Sequence, residues 1–239
     1  MTLAQKHSSY APPHRPMNLP ADYSPSREWL KLGDDGWWDF ENPENSRWSW
    51  RGLASSIAKQ PRYNGNTGTI WSVAQHSVLC HDQAPDEIKF FALVHDLPEG
   101  AFGDKVQPQK AYDKRLIAEH FARAGSLMPA DAHARILRQL MFDLLEELER
   151  PEHDVLLKIF VRAKKSLPSI EQGRIMKVID HRALLTEMHQ LNFAPDWPLN
   201  IDPALMPFDV AILPHHRWQD SYEEYLDRLS LYVDLGAQR

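Results

Sequence analysis

The sequence predicts an all-α protein. From about residue 49 onward, apolar residues recur at helical spacing, and no segment shows convincing strand alternation. The chain of 239 residues, with 43% hydrophobic and 25% charged residues, has the composition of a globular protein. Its length suits one domain with extensions. We therefore expect a single helical core with less regular chain attached to it.

The first 48 residues differ from the rest of the chain in composition. Proline is frequent there, which disfavours long helices. The same stretch holds a cluster of aromatic residues, Trp29, Trp37, Trp38, Phe40 and Trp48. Disordered segments are poor in aromatic residues, so this cluster argues against full disorder. The pattern predicts an irregular arm over residues 1–48 that packs along a main domain at 49–239.

The main domain divides into helical segments separated by turn-forming residues. A short helix over 51–59 should stop near Pro61 and lead into a loop at 62–69, where Asn64, Gly65, Asn66 and Gly68 favour positive φ. A buried helix follows over 71–81, and a further helical segment starts at Pro85 and includes the apolar run 88–97. Later helices are predicted at 112–124, 131–149, 152–164, 169–192 and 219–235.

Charge and composition exclude several classes of protein. A net charge of −6 disfavours nucleic-acid binding through phosphate neutralisation. No apolar run approaches the about 20 residues needed to span a bilayer, and the first residues do not resemble a signal peptide. The single cysteine, Cys80, excludes a disulfide framework and a multi-cysteine zinc site. We expect a cytoplasmic protein without nucleic-acid or membrane partners.

The pair His95-Asp96 is unusual because it follows the apolar run Phe90–Val94. An ionised carboxylate there is costly unless it is paired or binds a metal. His76 lies on the preceding predicted helix, and two antiparallel helices would bring it near His95. Two histidines and an aspartate suit a transition metal or zinc. The alternative is a hydrogen-bonded core histidine. The other two His-Asp pairs, at 81–82 and 153–154, fall at a helix end and at a polar helix start.

The motifs RYNG, VAQHS, ALVHDLPEGAFGD and IMKVIDHRALLTE, in this order, resemble the HD-domain metal-dependent phosphohydrolases. They are most similar to bacterial 5′-deoxynucleotidases and to phage-type hydrolases that include a dATP triphosphohydrolase. The resemblance covers roughly residues 45–192, and the last helix resembles the family more weakly. It implies a helical bundle around one divalent ion, which would be Co, Mn, Zn, Fe, Ni or Mg. Its ligands would be His76, His95, Asp96 and Asp180, with Asp143 and Asp154 as competitors for the last place.

The resemblance also assigns roles around that ion. Glu99 would act as acid or base, or position water, and Asp104 would lie in the same pocket. Arg62 would meet substrate phosphate and Tyr63 would lie near the nucleotide base, while Lys105 and Lys110 are candidate phosphate cations. Each residue also has a purely structural interpretation. Glu99 could cap the next turn, and Asp104 could be a turn residue. The 62–69 segment could be only a loop, and the lysines could be solvated surface residues.

The implied activity is hydrolysis of a phosphate ester of a nucleotide, with 5′-dephosphorylation of deoxynucleoside monophosphates as the first choice. Release of triphosphate from a dNTP is an alternative, and a non-catalytic nucleotide-binding module is another. Members of the resembled family tend to form homo-oligomers, and an exposed aromatic arm would fit that. The last helix, which carries Tyr222, Tyr225, Leu226 and Leu229, should pack on the core or on another subunit.

Overall fold

The computed structural model describes residues 29–33, 36–40, 42–126, 133–191 and 202–236. Within these ranges the protein is mainly helical, with one small two-stranded sheet, so the all-α prediction is confirmed. The α-helices are α1 (Trp50–Lys59), α2 (Val73–Gln83), α3 (Lys89–Val94), α4 (Glu99–Phe102), α5 (Gln107–Ser126), α6 (His133–Arg162), α7 (Ile170–Gln190) and α8 (Trp218–Leu229). None of the helices in the described ranges has both the length and the apolarity needed to cross a membrane.

The sheet corrects the expectation that the chain has no strands. Strands β1 (Trp29–Lys31) and β2 (Trp37–Asp39) pair antiparallel. At three residues each, they are too short for an alternating pattern to show in the sequence. Trp37 and Trp38 are buried, so this part of the arm is not the exposed aromatic surface that we expected. Residues 1–28 of the arm lie outside the described residues, and the division at residue 48 stays a prediction.

The β-hairpin rests directly on the start of α1. A Cβ atom built on Gly52 would lie 2.7 Å from the carbonyl oxygen of Gly33, and one built on Gly33 would lie 3.0 Å from that of Gly52. Only glycine permits so close a backbone approach. Leu32 and Trp38 then join Leu53 of α1 in the same apolar cluster. The described part of the arm therefore contributes to the core.

Several helix boundaries differ from the predicted ones. The segments expected at 131–149 and 152–164 form the single helix α6, which continues through Pro151. The lost backbone hydrogen bond falls where the helix is exposed and water can bond the freed carbonyl. Helix α5 begins earlier than expected, at Gln107, with Pro108 in its first turn. Helix α8 ends at Leu229, after which the backbone continues in turns.

Helix α2 is the centre of the core and is buried on all sides. Val73 and Val78 belong to an apolar cluster shared with α1, α3, α8 and the end of α6. Leu79 and Cys80 belong to a second cluster that includes α7. In α8, Tyr225 and Leu229 are buried in the first cluster, so this helix packs on the chain's own core. The predicted buried helix at 71–81 is thus the element around which the others pack.

Candidate metal centre

His76 is held rigidly on the central helix α2. The helix starts with a capping box between Ser72 and Gln75, and the His76 side chain is fully buried. His76 Nδ1 lies 2.5 Å from Oε1 of Glu187, which fixes the ring. His76 Nε2 therefore points the other way, 3.1 Å from Asp180 Oδ1 and 3.5 Å from Asp96 Oδ2. The Nε2 edge of the ring therefore faces two carboxylates.

His95 and Asp96 lie between helices rather than within one, which corrects the expected helix through residue 97. Helix α3 ends at Val94, and the backbone continues in tight turns with bonds from Leu97 N to Val94 O and from Glu99 N to Asp96 O. The following Pro98 disfavours continuation of the α-helix. The tighter turns still place the His95 ring 5.4 Å from the His76 ring, centroid to centroid.

The His95 ring is oriented by its own backbone. Its Nδ1–H donates to the carbonyl oxygen of Ala92 at 2.8 Å, so the lone pair of the neutral ring is on Nε2. His95 Nε2 is buried, makes no hydrogen bond among the described residues and lies 3.3 Å from Asp96 Oδ1. In the neutral ring this nitrogen and the carboxylate oxygen are both acceptors, so the nitrogen lacks a donor unless a cation binds it. A metal ion beside Asp96 would satisfy it.

Asp180 lies on α7, which starts with a capping box between Ser169 and Gln172. Burial acts to raise the pKa of Asp180, but His76, His95 and Arg62 together hold it well below the usual range. The carboxylate is therefore ionised and available as a ligand. Of the two competitors, Asp143 instead accepts from Gln139 on an exposed part of α6. Asp154 also lies on α6, outside the group of converging residues.

Three of the four ligand candidates from the sequence, His76, His95 and Asp180, form one group with Cys80, in which all the ligand atoms lie within 4.8 Å of one another. Asp96 is not part of that group, but its Oδ2 lies 3.5 Å from His76 Nε2 and 3.4 Å from the Arg62 guanidinium. Such a group could hold a metal ion. Imidazole nitrogens with carboxylate oxygens suit zinc and the first-row transition metals, so the donors fit the expected ion.

Glu187 is a central residue of the site that the sequence analysis missed. It is fully buried on α7, where its carboxylate contacts His76 Nδ1 and accepts from the Tyr63 hydroxyl. Arg62 Nε donates to it at 3.2 Å. Burial acts to raise the pKa of Glu187, but Arg62 and His76 lower it to about 2. A carboxylate behind a ligating histidine sets its tautomer and orientation. The available signal was spacing, since Glu187 lies two helical turns after Asp180.

Arg62 and Tyr63 reach this carboxylate from a pinned loop. The loop is closed by backbone bonds from Arg62 N to Trp71 O and from Val73 N to Gln60 O. Tyr63 and Asn64 adopt positive φ, as does Gly65, whereas Asn66 does not. Tyr63 is an unfavourable residue for this conformation, and its bond to Glu187 helps to hold it there.

These contacts bear on the roles that the resemblance implied for the two residues. Arg62 Nη1 lies 3.4 Å from Asp96 Oδ2, so its guanidinium bridges Asp96 and Glu187 at the edge of the centre. A phosphate role for Arg62 is compatible with that position. The Tyr63 ring is buried, which disfavours the expected stacking on a nucleotide base. Its hydroxyl supports Glu187 instead.

Glu99 and Asp104 are two further carboxyl groups near the centre, and each has a raised pKa. Glu99 is buried, and its Oε2 has no hydrogen-bond partner among the described residues. Burial, together with the charges of Asp96 and Asp104, raises the pKa of Glu99 well above its usual value. Burial likewise raises the pKa of Asp104. A carboxyl group that keeps its proton near neutral pH can act as a general acid.

A cleft of about 570 Å³ opens beside these residues. His95, Asp96 and Glu99 line it on one side, and α5 and α6 form the other side. The basic residues that line it are Lys105, Lys110, Lys114 and His153. Lys105 forms an ion pair with Asp113, and Lys110 Nζ lies 4.0 Å from Glu152 Oε2. The wall opposite the metal centre is therefore basic but partly neutralised.

Comparison with known proteins assigns no function. No family model matches the chain. The Uncharacterized protein YfdR of Escherichia coli (strain K12) is 40% identical over 68 residues. That match covers 28% of this chain and 36% of the length of YfdR.

Proposed function

We propose that this protein is a divalent-metal-dependent phosphohydrolase of the HD-domain type that acts on a phosphate ester of a nucleotide. One observation carries the proposal. His76, His95, Asp96 and Asp180 contribute two imidazole nitrogens and two carboxylates that lie close together, and His95 and Asp96 also line the cleft. A single buried His-Asp contact would have a structural explanation, but four such groups, among them a buried His95 Nε2 that makes no hydrogen bond within the described residues, favour a bound ion.

The residues around the centre would have separate roles in hydrolysis. A bound divalent ion would supply an activated water and neutralise phosphate charge. Glu187 holds His76 with Nε2 facing the centre, and the Ala92 carbonyl does the same for His95. Protonated Glu99 would donate its proton to the leaving 5′-oxygen, with Asp104 beside it. Arg62, at the edge of the centre, would contact the remaining phosphate oxygens.

The substrate we propose first is a deoxynucleoside 5′-monophosphate. The cleft also favours a second candidate, a deoxynucleoside triphosphate cleaved to triphosphate and nucleoside. Three lysines line the wall that faces the centre, which provides positive charge beyond the first phosphate. The two candidates share the metal ligands and differ in the number of phosphates on the substrate and therefore in the product released.

The test is a product analysis on metal-stripped protein. Protein reloaded with Co²⁺, Mn²⁺, Zn²⁺ or Mg²⁺ would be incubated with dAMP, AMP or dATP, and phosphate and triphosphate would be resolved. Asp180→Asn should lower metal affinity by more than about 100-fold, beyond the 10–100-fold typical of outer-shell changes. Asp143→Asn, the matched change on exposed α6, should leave both metal binding and turnover unchanged.

The outcomes separate the candidates. Phosphate from dAMP supports the nucleotidase, and triphosphate from dATP supports the triphosphohydrolase. Stoichiometric metal without turnover of any nucleotide would contradict the enzymatic proposal and point to a binding module. Failure of the wild-type protein to bind any of the four metals would contradict the ligand assignment itself.

A further inference from the structure

Cys80 belongs to the same group of atoms as the proposed metal ligands. It lies one helical turn after His76 on α2, is fully buried, and its Sγ is 3.5 Å from His76 Nε2. Because the other nitrogen of His76 is engaged by Glu187, Nε2 and Sγ face one shared space. The sulfur also lies within 4.8 Å of the ligand atoms of His95 and Asp180.

Cys80 belongs to the second apolar cluster, but its sulfur also has a polar neighbour. A structural cysteine in a core packs as a small apolar residue, whereas Cys80 Sγ contacts an imidazole nitrogen. An independent observation points the same way, since the buried Nε2 of His95 makes no hydrogen bond among the described residues and faces only another acceptor, Asp96 Oδ1, at 3.3 Å. Both features are explained by one ion placed between the two rings.

We propose that Cys80 is a ligand of the metal, so that the centre consists of two imidazole nitrogens, one thiolate and one carboxylate, from His76, His95, Cys80 and Asp180. The inference rests on the metal centre of the proposed function but not on its substrate. On binding, the S–H bond of Cys80 breaks, a metal–sulfur bond forms, and the proton leaves to solvent. The charge of the ion compensates the buried thiolate.

This assignment changes which metal the centre prefers and what Asp96 does. A thiolate selects Zn²⁺, Co²⁺ and Fe²⁺ over Mg²⁺ and Mn²⁺, which take oxygen ligands. Asp96 Oδ2 already lies 3.4 Å from Arg62 Nη1, so its carboxylate is shared between the centre and that guanidinium. With Cys80 bound, Asp96 is a further ligand or an acceptor for the water, rather than an obligatory member of the set.

X-ray absorption on the Zn²⁺-loaded full-length protein tests the proposal directly. We expect one sulfur scatterer at about 2.3 Å in addition to nitrogen and oxygen at about 2.0–2.1 Å. The Co²⁺-loaded protein should show a sulfur-to-cobalt charge-transfer band in the near ultraviolet. Cys80→Ser should lose both the sulfur shell and the band. Val78→Ala, a truncation on the same helix whose side chain lies in the other apolar cluster, should keep both.

The outcomes distinguish this inference from the proposed function. A wild-type centre with bound metal and only nitrogen and oxygen scatterers overturns the role of Cys80 and leaves the phosphohydrolase standing. A wild-type protein that binds no metal would contradict both the role of Cys80 and the proposed function. If Cys80→Ser does not fold, the wild-type absorption spectrum alone decides, because a sulfur shell can come only from Cys80 or a methionine. Circular dichroism would establish which case applies, and the cobalt charge-transfer band would separate a thiolate from a thioether.

Discussion

Helix α2 and the α5–α6 pair differ sharply in how much of each is buried. Every residue of α2 from Val73 to His81 is buried. No described side chain of α5 is buried, and in α6 the first buried residue is Val155. Large apolar residues such as Phe142 and Leu148 are exposed on α6. His76 and Cys80 thus come from a fully buried element, whereas two elements with few or no buried side chains form one wall of the cleft.

The difference suggests a division between chemistry and recognition. Ligand geometry requires side chains fixed by packing and by second hydrogen bonds, as His76 is by Glu187. A substrate-contacting wall has no such need, and elements with few buried contacts open at low free energy. We therefore expect variants in the buried region to affect turnover and stability, and variants in the wall to affect substrate affinity.

The largest effect is expected from Glu99→Gln. Removing a general acid typically lowers the rate by about 10²–10⁴-fold, and the amide keeps the size of the side chain. kcat should fall by that amount while metal content stays at the wild-type value. Steady-state kinetics and metal analysis of the purified variant measure the two quantities.

Lys110→Ala in the cleft wall is the control for that variant. It removes a cation that lines the cleft, so KM should rise while kcat changes little. If Glu99→Gln raised only KM, or if Lys110→Ala lowered kcat as much as Glu99→Gln, the proposed division would be wrong.

A pair of isoleucine truncations tests the same contrast in stability. Ile57 on α1 is 0% exposed and Ile136 on α6 is 56% exposed. Ile57→Ala should lower the free energy of unfolding by about 2–5 kcal/mol, because it leaves a cavity in the core. Ile136→Ala should change it by less than about 0.5 kcal/mol. Urea denaturation followed by circular dichroism gives both values. A large loss at Ile136 would mean that the exposed face of α6 is covered in solution, for example by self-association.

Some features of the site gave a local signal in the sequence, and others did not. A His-Asp pair after an apolar run is a local signal, and the order of the helices was enough to bring His76 and His95 together. Glu187 gave only the weak signal of its spacing from Asp180, because its burial depends on how α7 is rotated against α2. The positive φ of Tyr63 and the continuity of α6 through Pro151 also follow from tertiary contacts or solvent exposure, which composition does not report.

The smallest effect is a pH dependence of stability caused by Glu99. Burial raises its pKa in the folded protein, whereas an unfolded glutamate titrates at about 4.3. The folded state therefore binds this proton more tightly, and the stability contributed by protonated Glu99 is lost as pH rises through the window between the two pKa values. The Glu99→Gln variant has no ionisable group at this position, so it cannot show this loss of stability. In metal-free protein, the Tm of the wild type should fall more between pH 5 and pH 8 than the Tm of the variant. A gap of about 2–4 °C corresponds to about 1 kcal/mol in a domain of this size. Parallel Tm curves would show that Glu99 is ionised in the folded protein, and it could then serve as a base but not as the acid that protonates the leaving group.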